Sequence, residues 1–241
     1  MEVEVWLEKR SFDWEKYQVG LLLQEVHGKV LVLDYEGNWV WKDSGFTVKS
    51  AYDILRGPSE WLSLFISLWK TYALSSAQFT SWRVLLNSIT SKNNLERRGV
   101  AIVSNLCCFC RVKVESTRHS FFECRVAWLV WNKCYARMGL TSVNHHDPVS
   151  HFSHFNLLNV LVKVNVVRGM VWIAVVGEIW KHRNKYIIKG GVIDHSKMFT
   201  LAQLKVWSWI TSKSAHACFS YSEWCIDSLA GMFSIKWFWT L

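Results

Sequence analysis

The chain has 241 residues, of which 51% are hydrophobic, and a formal net charge of +9 at neutral pH. This length and composition exclude a wholly disordered chain and allow one large domain or two small ones. The positive charge indicates a polyanionic partner, nucleic acid or anionic lipid, although many ordinary soluble proteins carry a similar excess of solvated basic residues.

The N-terminal part predicts a small β hairpin, because residues 38–41 (NWVW) and 46–48 (FTV) flank a turn signal at 43–45 (DSG). Downstream, apolar residues recur at helical spacing, and Pro and Gly are few. Asp194 is a good N-cap, and Gly99 and Gly139 follow two helices as stop signals. We expect helices beginning near residue 50 and spanning 61–70, 77–88, 91–98, 125–138, 162–189 and 194–213.

A polar, histidine-rich stretch interrupts the helices at 141–155 and predicts a linker. We therefore divide the chain into a domain at 1–140, a linker at 141–160 and a helical tail at 161–241. The tail either packs on the first domain or forms a separate unit. A second metal cluster is an alternative interpretation of the linker histidines, which have only Asp147 as acidic support and suit a solvated linker better: His145, His146, His151 and His154.

Cysteine and histidine at metal-ligand spacing lie between two of the predicted helices. Two residues separate Cys107 from Cys110, eight residues follow, and four separate His119 from Cys124. Three thiolates and an imidazole suit a tetrahedral Zn²⁺ with bonds of about 2.3 Å to sulfur. Four protein ligands leave no open position, so we predict one structural zinc ion whose binding energy is folding energy.

Two alternatives to this ligand set exist. The four residues could be ordinary buried side chains, because Cys is among the most buried residue types. Cys108 could also compete with Cys107 for the metal, although the spacing favours Cys107. Cys134 lies on the following predicted helix, where a core position is expected.

Several short motifs surround this cluster in a fixed order. They are Phe12-Asp13-Trp14-Glu15, residues 38–52 (NWVWKDSGFTVKSAY), Leu68-Trp69-Lys70, Phe79-x-x-Trp82-Arg83, Asn94-Leu95-x-Arg97-Arg98-Gly99 and the cluster itself with Glu115-Ser116, Phe121-Phe122 and Trp131. Together they resemble the zinc-binding domain that follows the reverse transcriptase in plant LINE-type (non-LTR) retrotransposons. The resemblance covers residues 6–138 and extends weakly through 180–184. It implies ligand roles for Cys107, Cys110, His119 and Cys124.

The carboxylates of a polymerase or nuclease are missing from the sequence. A polymerase of this kind needs paired carboxylates for two metal ions, and the chain has no Asp-Asp pair. Asp147, Asp194 and Asp227 are too scattered for an RNase H site, and the metal accounts for the dense Cys/His grouping. We therefore expect no enzyme.

The preferred hypothesis is a mostly α domain with a small N-terminal β hairpin and a zinc knuckle between helices, which binds RNA or DNA. Its ancestral partner would be the reverse transcriptase domain of the polyprotein. Trp82, Phe109 and Phe121 either stack on bases or, more in keeping with their type, pack in the core. The residues expected to contact phosphates are Arg83, Lys92, Arg97, Arg98, Arg111, Lys113 and Arg118.

The alternative function is a protein-interaction scaffold or an inert retroelement relic that still folds around zinc. The charged start of the chain does not resemble a secretory signal, and the most apolar stretch, 169–177, is far shorter than a membrane span. We expect an intracellular protein, nuclear or cytoplasmic, without a membrane partner.

Overall fold

The computed structural model describes residues 20–21, 24, 40–41, 44–45, 60–140, 145–155, 162–213 and 219–226. The chain divides into two compact units, Met1–Pro58 and Ser59–Leu241. In the first, strands β1 (Val40–Trp41) and β2 (Ser44–Gly45) pair antiparallel, with Val40 opposite Gly45. Most of the expected hairpin and the helix expected near residue 50 lie outside the described residues, so both stay predictions.

The second unit is helical throughout most of its described length, which confirms the mostly α fold class. None of the described helices is long and apolar enough to cross a membrane. In chain order the helices are α1 (Glu60–Trp69), α2 (Ser75–Leu85), α3 (Lys92–Arg97), a π-helical turn (His119–Glu123), α4 (Arg125–Arg137), α5 (Pro148–Phe155), α6 (Val162–Lys189), α7 (His195–Lys213) and α8 (Tyr221–Ile226).

The expected caps set the ends of several helices. The Ser91 hydroxyl accepts a hydrogen bond from the Asn94 amide at the start of α3, and the Asp194 carboxylate accepts one from the Lys197 amide at the start of α7. Gly99 and Gly139 have φ of +76° and +59° after α3 and α4, a conformation that glycine adopts without steric cost. These observations confirm the helix limits to within a few residues.

Helix α6 forms the centre of the unit and packs against α1, α2, α4, α5 and α7. Residues 172–176 are all buried, so this part of the helix is covered on every side. Gly169 lies where a Cβ atom would approach Thr71 Cγ2 to 2.9 Å, which allows the close packing of α6 beneath the end of α1.

The stretch expected as a solvated linker contains helix α5. Asp147 caps it by accepting a hydrogen bond from the Ser150 amide, and Pro148 occupies the first helical position. His151, Phe152 and Phe155 are buried. The linker interpretation is therefore wrong for Pro148–Phe155, because apolar side chains on one face of this short helix pack on α6. The proposed domain limits themselves stay a prediction.

Candidate metal centre

A short hairpin-like turn carries the first two cysteines. Leu106 and Val114 form an isolated antiparallel bridge at its base. Inside it, the Cys107 amide donates to the Lys113 carbonyl at 2.8 Å, and the Arg111 amide donates to the Cys107 carbonyl at 2.8 Å. We call residues 106–114 the knuckle. Arg111 has φ of +55°, a left-handed conformation that turns the chain back after Cys110.

A π-helical turn carries the other two candidate ligands. The Cys124 amide donates to the His119 carbonyl at 2.7 Å, five residues back, instead of to the residue four back as in an α-helix. Wider turns of this kind often occur at functional sites. The extra residue places His119 and Cys124 on the same side of the turn. The Phe121 carbonyl accepts a hydrogen bond from the buried Trp131 indole at 2.7 Å, which fixes the turn against α4.

The four predicted ligands come together in one cluster. The ligand atoms of Cys107, Cys110, His119 and Cys124 all lie within 4.8 Å of one another. Cys107 Sγ and Cys124 Sγ are 3.9 Å apart, and Cys110 Sγ is 3.2 Å from His119 Nε2. A tetrahedral zinc ion with bonds of about 2.3 Å holds its sulfurs about 3.8 Å apart. The geometry is thus compatible with one zinc ion held by all four residues.

The thiols interact strongly with each other and with the imidazole. The contact with Cys124, together with burial, raises the pKa of Cys107 to about 12, while the same contact lowers the pKa of Cys124. Burial alone would raise the pKa of Cys110, but the Lys113 and Val112 amides and His119 lower it overall. The neighbouring thiols, Cys107 first, raise the pKa of His119. Such close, buried thiols are at their most favourable when a cation neutralises them as thiolates.

A carboxylate lies near the second ring nitrogen of the candidate histidine ligand. His119 Nδ1 is buried and has no hydrogen-bond partner, and Glu123 Oε2 lies 3.8 Å from it. A metal-bound histidine usually donates its second N–H to a carboxylate, a carbonyl or water. Glu123 also accepts a hydrogen bond from Arg118 Nε at 2.6 Å. This orphaned nitrogen, with Nε2 directed at the cysteines, fits an imidazole that binds metal.

A buried ion pair joins the end of the knuckle to α6. The Glu115 side chain is fully buried, and its Oε1 accepts hydrogen bonds from the Lys92 amide and from Arg183 Nε, both at 3.1 Å. Arg183 also lies over the Trp180 ring, 4.8 Å from its centroid. Sequence reasoning quoted Glu115 only as part of a motif and assigned no partner, because 68 residues separate the pair.

The other cysteines and histidines lie apart from the cluster. Cys108 and Cys134 are buried, and burial raises the pKa of Cys108 to about 12. Across the described residues, the only group of three or more metal-ligating side chains is the Cys107 cluster. The linker histidines therefore do not form a second such group: His151 is enclosed by aromatic rings, with Trp131 4.4 Å and Phe122 4.6 Å from it between centroids.

The seven residues expected to contact phosphates have different surroundings. Arg97 and Lys113 are exposed, and neither side chain makes an intramolecular hydrogen bond or ion pair within the described residues. Arg118 pairs with Glu123. The other four donate to neutral oxygens, Arg83 and Arg98 to the Ser88 carbonyl, Lys92 to the Leu106 carbonyl and Arg111 to the Tyr186 hydroxyl.

The aromatic residues considered for stacking are not freely exposed. Phe121 is fully buried, and Trp82 and Phe109 are half-buried against the core. Core packing therefore accounts for Phe121. Phe79, which was not among the candidates, is 50% exposed and lies beside Trp82, with 5.5 Å between ring centroids.

A closed set of three thiols and one imidazole between helices defines the class of small domains that can hold a structural zinc ion. A family model described as zinc-binding in reverse transcriptase matches residues 46–131. The match includes all four clustered residues and confirms the resemblance for this range, while the plant LINE origin stays a prediction. No curated protein and no solved structure gives a significant match to the chain.

Proposed function

We propose that the chain is a non-enzymatic, zinc-stabilised nucleic-acid-binding module, derived from a retrotransposon polyprotein and separated from its polymerase domain. The observation that carries the proposal is the closed Cys107, Cys110, His119 and Cys124 cluster within a strongly basic stretch. Residues 83–137 contain ten Lys or Arg against three Glu. A closed site has no position for substrate, so the metal serves the fold and the surrounding surface serves binding.

Zinc would supply structural cross-linking here and no chemistry. The knuckle and the π-helical turn contribute two ligands each, so the ion would join two segments that contact each other through the ligand side chains themselves. Lys113 belongs to the knuckle, and Arg97 lies on α3, whose first amide donates to Glu115 at the end of the knuckle. Holding the knuckle in place therefore also holds these cations at fixed positions.

Two exposed basic side chains near the cluster are suited to contact phosphates. Arg97 and Lys113 carry exposed charges that no carboxylate of the described residues neutralises. Contacts of Lys and Arg with phosphates release condensed counterions, so the affinity falls as salt rises. Whether the partner is RNA or DNA depends on contacts beyond these charges.

Oligonucleotide titrations at several salt concentrations test the proposal. We expect the zinc-loaded chain to bind fluorescein-labelled oligonucleotides with an affinity that falls as salt rises. The Arg97→Gln/Lys113→Gln variant should bind more weakly and with a shallower salt dependence. Lys197→Gln/Lys213→Gln is the matched control, because it removes the same charge from exposed positions on α7. Salt-insensitive binding, or no binding by a folded, zinc-loaded protein, would overturn the proposal.

A specific observation also favours the protein-interaction alternative. Three apolar side chains of the knuckle are exposed, Leu106 at 40%, Val112 at 76% and Val114 at 42%. Exposed apolar side chains grouped on one hairpin are typical of a surface that another domain covers. If this alternative holds, Val112→Ser will reduce self-association or partner binding, and oligonucleotide affinity will be negligible.

A further inference from the structure

Two arginines, one on helix α2 and one just after α3, donate hydrogen bonds to one carbonyl oxygen. Arg83 Nη2, from α2, donates to the Ser88 carbonyl at 3.1 Å, and Arg98 Nη2, just after α3, donates to the same oxygen at 2.8 Å. Neither guanidinium forms an ion pair within the residues that the structure describes. Two like charges that share one neutral oxygen repel each other, and an anion that bridged them would offset this repulsion. We call Arg83 and Arg98 the arginine fork.

The turn between α2 and α3 fixes the fork before any ligand arrives. The Ser88 amide and hydroxyl both donate to the Arg83 carbonyl, at 2.8 and 3.2 Å. Each of the two residues therefore donates a hydrogen bond to the backbone carbonyl of the other. Buried Asn94 donates from Nδ2 to the carbonyls of Asn87 at 2.8 Å and Ile89 at 2.9 Å. The turn that presents Ser88 is thereby held against α3, which lowers the entropic cost of ligand binding.

Each guanidinium keeps free donors. An arginine has five N–H groups, and the Ser88 carbonyl uses one from each side chain. Arg98 is exposed and Arg83 is half-buried, so the remaining donors reach solvent from a partly fixed position. Planar guanidinium groups match the oxygen geometry of phosphate and bind it through paired hydrogen bonds. Among anions, a phosphate group is therefore the ligand whose shape and charge suit the fork.

An exposed aromatic ring stands one helical turn from the fork. Phe79 and Arg83 are four residues apart on α2, so their side chains are neighbours on the helix surface. Phe79 is 50% exposed and leans on Trp82. A ring and a guanidinium that are neighbours on one helix surface can contact a base and a phosphate of the same strand. A base can stack on such a ring only when it is unpaired, as in single-stranded nucleic acid.

We propose that Arg83 and Arg98 bind one phosphate of a single-stranded nucleic acid while Phe79 stacks on an adjacent unpaired base. This inference rests on the proposed function and names its partner class and contact site. The complementary charge of the fork and the exposed ring favour a single strand over a duplex, whose bases are inaccessible to Phe79. Arg97 on α3 and Lys113 on the knuckle would contact neighbouring phosphates.

The first test compares charge variants on a short fluorescein-labelled oligothymidylate, with zinc content and thermal unfolding checked for each protein. Arg83→Gln/Arg98→Gln should bind about tenfold more weakly than the unaltered chain, since it loses hydrogen bonds to a charged group. Because both arginines bind the same phosphate, each single substitution should cause most of the loss of affinity seen in the double variant. The effects of the two single substitutions should therefore not be additive. Lys197→Gln/Lys213→Gln removes equal charge and should bind as the unaltered chain does.

The second test isolates stacking with Phe79→Leu, which keeps an apolar side chain and removes the ring. On the intact oligonucleotide its affinity should fall about fivefold. On an oligonucleotide without bases, the variant and the unaltered chain should bind equally. A duplex of the same length should bind the unaltered chain more weakly than the single strand.

The outcomes separate this inference from the proposed function. Binding that is lost in Arg97→Gln/Lys113→Gln but kept in the fork variant would overturn the fork and leave the function standing. Equal or tighter binding of the duplex would overturn the single-strand assignment. An unaltered, zinc-loaded chain that binds no oligonucleotide would overturn both.

Discussion

At the scale of single residues, the candidate ligands were predictable because the signal is local. All four lie within residues 107–124, and the short Cys-x2-Cys spacing already forces two sulfurs together. The structure favours Cys107 over Cys108, because the Cys107 sulfur lies among the other three candidate ligand atoms and Cys108 is not part of this group. The roles of Glu115, Arg183 and His151 were not predictable, because each depends on a partner distant in the sequence.

The left-handed conformation of Arg111 gives a test of knuckle geometry. Arg111→Gly and Arg111→Val both lose the hydrogen bond to Tyr186, so a comparison between them isolates the backbone. A β-branched residue with φ of +55° is strained by roughly 1–2 kcal/mol, whereas glycine is not. We expect the Gly variant to bind zinc about fivefold more tightly than the Val variant in competition with a chelator. Equal affinities would contradict the described knuckle.

Buried His151 predicts a loss of stability in mild acid. Burial lowers its pKa from the usual 6.5 of a histidine to about 3. As the pH falls below 6.5, His151 takes up a proton in the unfolded chain but stays neutral in the folded chain. The contribution of this residue to the free energy of unfolding is therefore complete above pH 6.5 and is lost as the pH falls towards 3. Between pH 7.5 and 5.5 the free energy of unfolding should fall by about 1 kcal/mol through this residue alone.

Denaturant titrations of zinc-loaded protein across this pH range measure that contribution. The His151→Gln variant keeps a donor and an acceptor for Tyr135 and Trp172, but its side chain does not titrate. Its free energy of unfolding should therefore fall less steeply with decreasing pH than that of the unaltered chain. His154→Gln, at an exposed position, is the matched control and should keep the full slope. Zinc ligands titrate equally in all three proteins. Identical slopes for His151→Gln and the unaltered chain would contradict a buried neutral imidazole.

At the scale of elements, apolar periodicity and capping residues predicted the long helices because those signals act within one or two turns. Helix α5 was missed although Asp147 and Pro148 form an ordinary helix start, since its four neighbouring histidines suggested a polar linker. Its apolar residues Phe152 and Phe155 are buried. Packing between elements was beyond the sequence, because it depends on which faces meet after the chain folds.

The link between the knuckle and α6 is testable through the Glu115–Arg183 pair. Arg183→Met leaves a fully buried carboxylate with the Lys92 amide as its remaining described donor, and should lower the free energy of unfolding by about 3 kcal/mol. Glu115→Gln/Arg183→Met removes both charges and should be more stable than Arg183→Met. Denaturant unfolding of zinc-loaded proteins measures both. A loss below about 1 kcal/mol in Arg183→Met would show that the pair does not join these elements.

At the scale of the whole molecule, one candidate metal site lies between the basic knuckle and a helical core. The core around α6 is large and apolar, so it contributes stability independently of the metal. The knuckle has few buried apolar side chains of its own, and its position depends on the ligands, Glu115 and short backbone hydrogen bonds. Loss of zinc should therefore disorder the knuckle, residues 106–114, first and weaken oligonucleotide binding before the helical core unfolds.

The most direct measurement is the zinc content of the purified chain, determined by elemental analysis beside the Cys107→Ser/Cys110→Ser variant. We predict one zinc ion per unaltered chain and none in the variant, with a lower melting temperature and less helical signal in the variant. A folded, unaltered chain that holds no zinc, or a variant that keeps its zinc and its stability, would contradict the assignment of this cluster as a structural metal centre.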